Sequence, residues 1–384
     1  MLVIWFPSLR LLSLFFLVAC NNLNFFYIII LFFLFTSFTV GVILNSRARH
    51  VLFMLSLLVS ACLIRRGPFK FLLFFEFILI PGFWLIFKLS ESSVRPKAAI
   101  LLFIYGSIFR VPLILLVYLT CGFVSFERLY HFNHSFFLIL LSIGFLSKLP
   151  VFGLHRWLPV AHGEASTEGR IYLAGVLLKV GVFGLIYFIS STYLQLNLLI
   201  ALGLIRRVIR TFLVFIMIQK KKYIAISSVA HISILVILLL WPSNSKFFLV
   251  LLGIIAHGIR RPLMFIMAGY QIRVSNNKNL LAGQVRICRA IGLLCWIRCL
   301  MWMGLPPSIN FIMEWQAIIL ITSVRNLPVF LFTCIMFIGS IYPYVYGKIF
   351  NRSEGIAGIP TSSAPKYLRF VLLGSISTAP IFLL

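Results

Sequence analysis

The sequence predicts an all-α, polytopic integral membrane protein. Three observations carry that prediction. The chain of 384 residues is 62% hydrophobic and only 11% charged, with a mean hydropathy of +1.09, more apolar surface than a soluble domain of this length can hide. Apolar runs of membrane-spanning length recur from end to end, separated by short polar breaks. The short alternating segments of a transmembrane β-barrel are missing.

Candidate spans fall at 1–20, 24–45, 50–64, 70–90, 98–121, 135–154, 171–191, 198–218, 223–241, 246–270, 287–304, 308–324, 328–347 and 367–384. At about 20 residues per crossing this gives about 13 or 14 helices, with 50–64 short for a span. The connections are brief, so no separate soluble domain is expected. The start, MLVIWFPSLRLLSLFF, lacks a basic n-region and is not an Arg- and Ser-rich amphipathic leader. It reads as the first span of an uncleaved protein.

The formal charge is +27. In a soluble chain that would suggest nucleic acid, but here the Lys and Arg are dispersed through apolar spans with no basic domain or stacking platform. The chain has seven Glu and no Asp, so an Asp-based triad or a carboxylate metal cage is excluded. Seven cysteines are scattered without a CxxC pair; Cys288, Cys295 and Cys299 read as small hydrophobes at helix interfaces. No GxGxxG, P-loop or iron–sulfur cysteine cluster is present, so no redox cofactor is expected in this chain.

Six ionisable residues sit where insertion of a charge costs about 2.5–3.5 kcal/mol. Glu76 lies in FLLFFEFILIPGF, Lys148 in FLSKLPVFGLHRWLP and Lys179 in GVLLKVGVFG. His231 follows the polar step SSVAH, His257 lies in LLGIIAHGI and Glu314 in GLPPSINFIMEW. One such residue is often a snorkelling or structurally paired charge. Six, mixing acid, base and imidazole, point to a proton relay. Desolvation disfavours a lysine's ammonium and a nearby carboxylate favours it. A lysine between those pressures exchanges its proton when the partner moves. Gly175, Gly181 and Gly184 around Lys179 allow close helix approach or room for water.

Pro150 follows Lys148, and Pro306-Pro307 precede Glu314. Each removes a backbone donor and frees a carbonyl one turn earlier. Broken helices at membrane depth are tolerated where they line a cavity or are buried in protein. One broken helix with an ionisable group in each half is the mark of a transporter built from two inverted repeats. The halves are drawn as 66–192, with Glu76, Lys148 and Lys179, and 193–350, with His231, His257 and Glu314. N-terminal helices (1–65) and a C-terminal helix (351–384) flank them.

The run FLSKLPVFGLHRWLPVAHGEASTEGRIYLAGVLLKVGVFG resembles the central signature of the chain 4 family of proton-pumping NADH–ubiquinone oxidoreductase, respiratory complex I. The matching elements are Lys148 and Pro150, Gly153 to Pro159, Ala161, His162, Glu164, Ala165, and Leu173 to Gly181. IAISSVAHISI, IIAHGIRRPLMF and GLPPSINFIMEW resemble further stretches of that family in the same order, over roughly residues 70–350. The resemblance implies that Glu76 pairs with Lys148, that Lys179 is the central lysine, that His231 and His257 relay, and that Glu314 is the terminal acid. It implies an antiporter-like subunit in the mitochondrial inner membrane that moves protons and performs no redox chemistry itself. The partners would be the lipid bilayer and other membrane-arm subunits of complex I, whose assembly handles NAD, FMN, iron–sulfur clusters and ubiquinone. No nucleic acid or small-molecule substrate is expected on this chain. A subunit of a multi-subunit cation/proton antiporter is the alternative, and a membrane scaffold with incidental charges a third reading.

His155 and His162 lie between Pro150 and the next span. Their separation of seven, with no Cys or Asp nearby, disfavours a metal site and suggests loop hydrogen bonding or proton uptake from water. Glu164 and Glu168 read as loop and helix-start residues, and Glu168 departs from the small residue usual in the family.

Arginines at 110, 156, 170, 206, 207, 210, 260, 261, 289 and 298 fall in or beside apolar spans. Several stand where the resembled family carries small, apolar or hydroxyl residues. Together, without partners, they would cost on the order of tens of kcal/mol. Some invertebrate mitochondria read AGA and AGG as serine and AUA as methionine, and this chain has only nine Met. Many of these arginines are therefore expected to be serine in the native protein, where a helical hydroxyl bonds its own backbone. Peptide masses covering 156, 170, 260 and 261 should read serine. Arginine codons other than AGA or AGG at most of the ten positions would refute the idea.

Overall fold

The computed structural model describes residues 46–64, 68–88, 93–121, 144–149, 157–189, 217, 219–240, 246–275, 279, 299 and 309–324. The named elements among them are helical: α1 (Ser46–Ile64), α2 (Pro68–Phe77), α3 (Leu79–Phe87), α4 (Arg95–Cys121), α5 (Trp157–Glu164), α6 (Thr167–Tyr172), a π-helical turn (Leu173–Leu177), α7 (Leu178–Ile189), α8 (Lys220–Leu240), α9 (Lys246–Ser275) and α10 (Ile309–Val324). Four helical stretches among the described residues are long and apolar enough to cross a membrane: Phe69–Phe87, Arg95–Leu115, Gly169–Ile186 and Lys220–Leu239. The candidate spans at 1–20, 24–45, 328–347 and 367–384 lie outside the described residues, as do 135–154 apart from 144–149, 198–218 apart from 217, and 287–304 apart from 299.

Backbone chemistry explains the irregularities. Pro81 cannot donate to the Phe77 carbonyl, and the α2–α3 run breaks at Ile78, two residues past Glu76. Ser166 caps α6 by accepting from the Gly169 amide at 3.1 Å. Pro112 and Pro262 sit inside α4 and α9. Pro150, Pro306 and Pro307, where the sequence predicts helix breaks, lie outside the described residues.

Packing follows the solvent. The α6–α7 span and α8 are almost wholly buried among other helices, while α1, α3 and α4 turn apolar side chains outward. Phe53, Ile80, Trp84, Ile108 and Leu115 are exposed, and Arg110, Lys148, Lys179 and Arg261 are buried. That reverses the soluble pattern and suits a bilayer as surroundings. Helix α8 packs antiparallel along α9, and α9 also meets α6, the π-turn and α10. The antiparallel bridge Gln219–Asn279 joins the start of α8 to the chain beyond α9.

Segment 144–149 is wedged between α2 and α7. Phe145 meets Phe75 edge-on at 5.3 Å between ring centroids. On its other side, its ring presses on the bare backbone of Gly184. Trp157 of α5 donates from Nε1 to the Ser147 carbonyl at 3.1 Å and pins the segment from below. A methyl at Gly184 would run into the Phe145 ring. Gly184→Ala should therefore lower stability by about 1–3 kcal/mol, read as less assembled protein and a lower thermal midpoint in detergent.

Candidate functional site: a buried line of ionisable groups

The site begins on α2. Glu76 forms an ion pair with Arg110 of α4 at 3.1 Å. Arg110 is fully buried, and its Nε donates to the Gly106 carbonyl at 2.6 Å. Lys148 does not take the Glu76 carboxylate here. Its Nζ donates to the Phe75 carbonyl at 2.9 Å and lies 3.3 Å from the centre of the Phe75 ring. The Arg110 guanidinium sits 5.3 Å from the same ring. Two cations thus lie against one aromatic ring while the carboxylate pairs with Arg110, a desolvated arrangement in which cation–π attraction is worth about 2 kcal/mol. The direct Glu76–Lys148 pair expected from sequence is replaced by Glu76–Arg110.

The line continues into α7. Gly181 lets the Lys148 segment approach, since a Cβ there would lie 3.4 Å from Lys148 Cβ. Two residues back, Lys179 Nζ donates to the Ala174 carbonyl and meets His257 Nδ1 at 2.8 Å. With the ring's proton on Nε2, Nδ1 is the acceptor. Ala174 belongs to the π-turn, whose wider winding sets its carbonyls differently from those of an α-helix. A Cβ at Gly175 would sit 3.1 Å from Pro262 Cγ and 3.7 Å from the Gly258 carbonyl. Gly258 is the residue whose carbonyl Pro262 leaves without its helical donor. Two backbone irregularities therefore face one another beside the Lys179–His257 hydrogen bond. Such irregularity is stable at membrane depth when protein encloses it.

The last pair lies on α8 and α10. His231 Nδ1 and Glu314 Oε1 are 2.8 Å apart, with both side chains mostly buried. Between this pair and the lysine, α8 presents Ser227 and Ser228, both buried. Arg261 NH1 donates to Ser227 Oγ at 2.7 Å and to the Ile224 carbonyl at 3.1 Å.

All six ionisable candidates are among the described residues, and each makes a direct polar contact within this line or its backbone: Glu76 to Arg110, Lys148 to Phe75, Lys179 to His257, His231 to Glu314. Sequence reasoning weighed Arg110 only as a costly intramembrane arginine, not as the partner of Glu76, and did not weigh Phe75, the π-turn or Pro262. Pro262 was visible in IIAHGIRRPLMF; the π-turn has no residue signature. Arg156, Arg206, Arg207, Arg210, Arg289 and Arg298, His155, Cys288 and Cys295 lie outside the described residues. Arg170, Arg260 and Arg261 are buried.

The family described as NADH:quinone oxidoreductase/Mrp antiporter, transmembrane, matches residues 69–340. The chain belongs to this family. It is similar to NADH-ubiquinone oxidoreductase chain 4 of Albinaria caerulea, 32% identical over 306 residues, which cover 76% of this chain and 70% of that one. Chain 4 of Locusta migratoria is 28% identical over 322 residues, covering 79% and 71%. Among solved structures, a chain of respiratory complex I from Thermus thermophilus with bound NADH has the same fold. Its TM-score is 0.80 at 19% identity, over 93% of this chain and 79% of that chain. A chain of the Mrp complex from Dietzia sp. DQ12-45-1b gives 0.75 at 16% identity, over 88% and 68%. The fold is that of the family's antiporter-like membrane subunits.

The His231–Glu314 pair generates a test. Glu314→Gln keeps an acceptor for His231 and removes the charge. The assembled protein should persist, while proton translocation per NADH oxidised falls. An unchanged ratio, measured in sealed vesicles with a pH-sensitive dye, would remove Glu314 from the path.

Proposed function

We propose that this chain is a proton-translocating membrane-arm subunit of NADH–ubiquinone oxidoreductase in the mitochondrial inner membrane. The observation that carries the reading is the Lys179–His257 hydrogen bond, buried between a π-turn and a proline-interrupted helix. The family's relatives named chain 4 supply the oxidoreductase context. NADH oxidation and quinone reduction belong to other subunits, with NAD, FMN, iron–sulfur clusters and ubiquinone held there.

In this reading Glu76, Lys148, Lys179, His257, His231 and Glu314 pass protons in that spatial order. A neutral Lys179 accepts a proton on Nζ; the ammonium later returns it through His257, whose second nitrogen faces away from Lys179. Each transfer makes one bond to hydrogen and breaks another, O–H at the two glutamates and N–H at the lysines and histidines. The two expected halves, 66–192 and 193–350, meet at Lys179 and His257, so the central transfer crosses from one repeat to the other. Conformational change in partner subunits would supply the drive.

A cation/proton antiporter subunit is the second reading, favoured by the fold shared with the Mrp chain. Sodium separates the two. Lys179→Met in the assembled enzyme should abolish proton pumping and slow coupled NADH oxidation by at least about 10²-fold, the range for losing a positioned proton carrier. Full pumping in that variant would leave a scaffold. A sodium-driven pH change without NADH-oxidising partners would favour the antiporter.

A further inference from the structure

Lys148 is seated on a carbonyl that an intact helix would keep for itself. In a continuous α-helix the Phe75 carbonyl accepts from the Leu79 amide, four residues on. Here the ladder opens. Ile78 N–H still donates to the Phe74 carbonyl at 3.1 Å, and Gly82 N–H to the Ile78 carbonyl at 3.3 Å. Between those bonds α2 ends at Phe77 and α3 begins at Leu79, with a turn at Ile78. The Phe75 carbonyl stands at this break and accepts from Lys148 Nζ at 2.9 Å. The cause is Pro81. It has no N–H for the Phe77 carbonyl, and its ring presses on that carbonyl and forces the preceding turn open.

The break is held firmly. The Phe75 ring lies 5.9 Å from the Phe71 ring and 5.3 Å from the Phe145 ring, centroid to centroid. Leu79 packs onto the bare backbone of Gly106 in α4, and Gly82 lies against Leu177 of the π-turn. Phe75 and Ile78 are fully buried, so a carbonyl opened there needs a donor from the protein itself. Lys148 is that donor. Its own turn is closed by Leu149 N–H on the Phe145 carbonyl at 3.1 Å. Lys179 repeats the arrangement by donating to the Ala174 carbonyl of the π-turn. Each lysine rests on a carbonyl where its neighbouring backbone departs from α-helical winding.

We infer that the α2–α3 break is a backbone seat for Lys148, and that Pro81 is the residue that positions this lysine. The inference rests on the relay reading proposed above and adds a positioning residue to it. A carbonyl accepts from an ammonium and from a neutral amine alike. A carboxylate grips the ammonium far more strongly than the amine. The seat therefore keeps Lys148 beside Glu76 in both charge states and leaves the neutral amine's lone pair for the next proton. Pro81 makes the seat whichever residue is decoded at 110. Without the proline, the Leu79 amide would return to the Phe75 carbonyl and compete with Lys148 for it.

The experiment compares Pro81→Ala, Lys148→Met and the double variant in the assembled enzyme. Alanine is a strong helix former and lets the ladder close without added bulk. Proton translocation is read in sealed vesicles, and the thermal midpoint in detergent. Lys148→Met should lose translocation. Pro81→Ala should slow it by about 10-fold, as expected when a hydrogen bond to a charged group is weakened. Its shift in thermal midpoint should shrink in the Lys148→Met background, because the two residues act on one contact. A wild-type rate in Pro81→Ala, with translocation lost in Lys148→Met, overturns the seat and leaves the relay standing. Wild-type translocation in Lys148→Met overturns both. A slowed Pro81→Ala whose thermal shift is equal in the two backgrounds is a proline that shapes only its own helix, and it also overturns the seat. If Pro81→Ala does not assemble, a density map of the wild-type enzyme decides. Leu79 N–H should stand out of hydrogen-bond reach of the Phe75 carbonyl, and a closed ladder there overturns the proposal.

Discussion

Everything in this structure depends on how a lysine side chain is held away from the protein surface. Lys179 is 2% exposed and sits on a span enclosed by other helices. Its two hydrogen-bonding groups are a carbonyl of its own chain and an imidazole of α9. Neither carries a fixed negative charge. A carboxylate would lock the lysine as an ion pair, and breaking a buried pair costs about 3–5 kcal/mol. A carbonyl and a neutral ring support either protonation state. The π-turn places Ala174, and the Gly175–Pro262 approach fixes the distance to α9. In the proposed relay, the local fold is thus arranged around a charge that comes and goes.

The first pair shows what a permanent charge does. With arginine at 110, Glu76 is held by a guanidinium and Lys148 turns to the Phe75 carbonyl and ring. Arginine stays protonated under all working conditions, so this pairing cannot relay through Arg110. With serine at 110 the hydroxyl would bond back to a carbonyl one turn earlier, as Ser107 does to Phe103 at 3.0 Å. Glu76 would then be left with Lys148 as the neighbouring cation, the pairing implied by the family resemblance. The decoding of one codon therefore decides whether the first two groups are partners or rivals.

Much of this was legible because charge inside an apolar run is conspicuous. Glu76, Lys148, Lys179, His231, His257 and Glu314 stand out from their neighbours, and helix type follows from run length alone. Contacts across helices were less legible, because spacing along a chain does not say which helix faces which. Nothing in GRIYLAGVLLKVG marks a π-turn: the residues are ordinary helix formers, and the wider winding at Leu173–Leu177 lies against Pro262 of another helix, which spacing along the chain does not reveal. His162 was visible but read with the loop, since HRWLPVAH follows a proline. The structure puts it on α5, stacked under α9. Pro81 was likewise in plain view beside Glu76, yet its effect, a break at Ile78, concerns a carbonyl rather than a side chain.

In the proposed relay, neighbouring groups influence one another through charge. Two unit charges about 8 Å apart interact by about 2 kcal/mol at an effective dielectric of 20, and by about 4 kcal/mol at 4 Å. Those energies approach the 3–5 kcal/mol that holds a buried ion pair together. Protonating one group can therefore loosen the next pair without any large movement of helices. In the proposed relay, His231–Glu314 releases its proton when His257 gains one, because two nearby imidazolium charges repel. The same arithmetic limits the device: a fixed cation within that distance would bias every step in one direction. In the proposed relay, the residues at 110 and 261, silent in any account of helix packing, therefore bear on whether the line conducts.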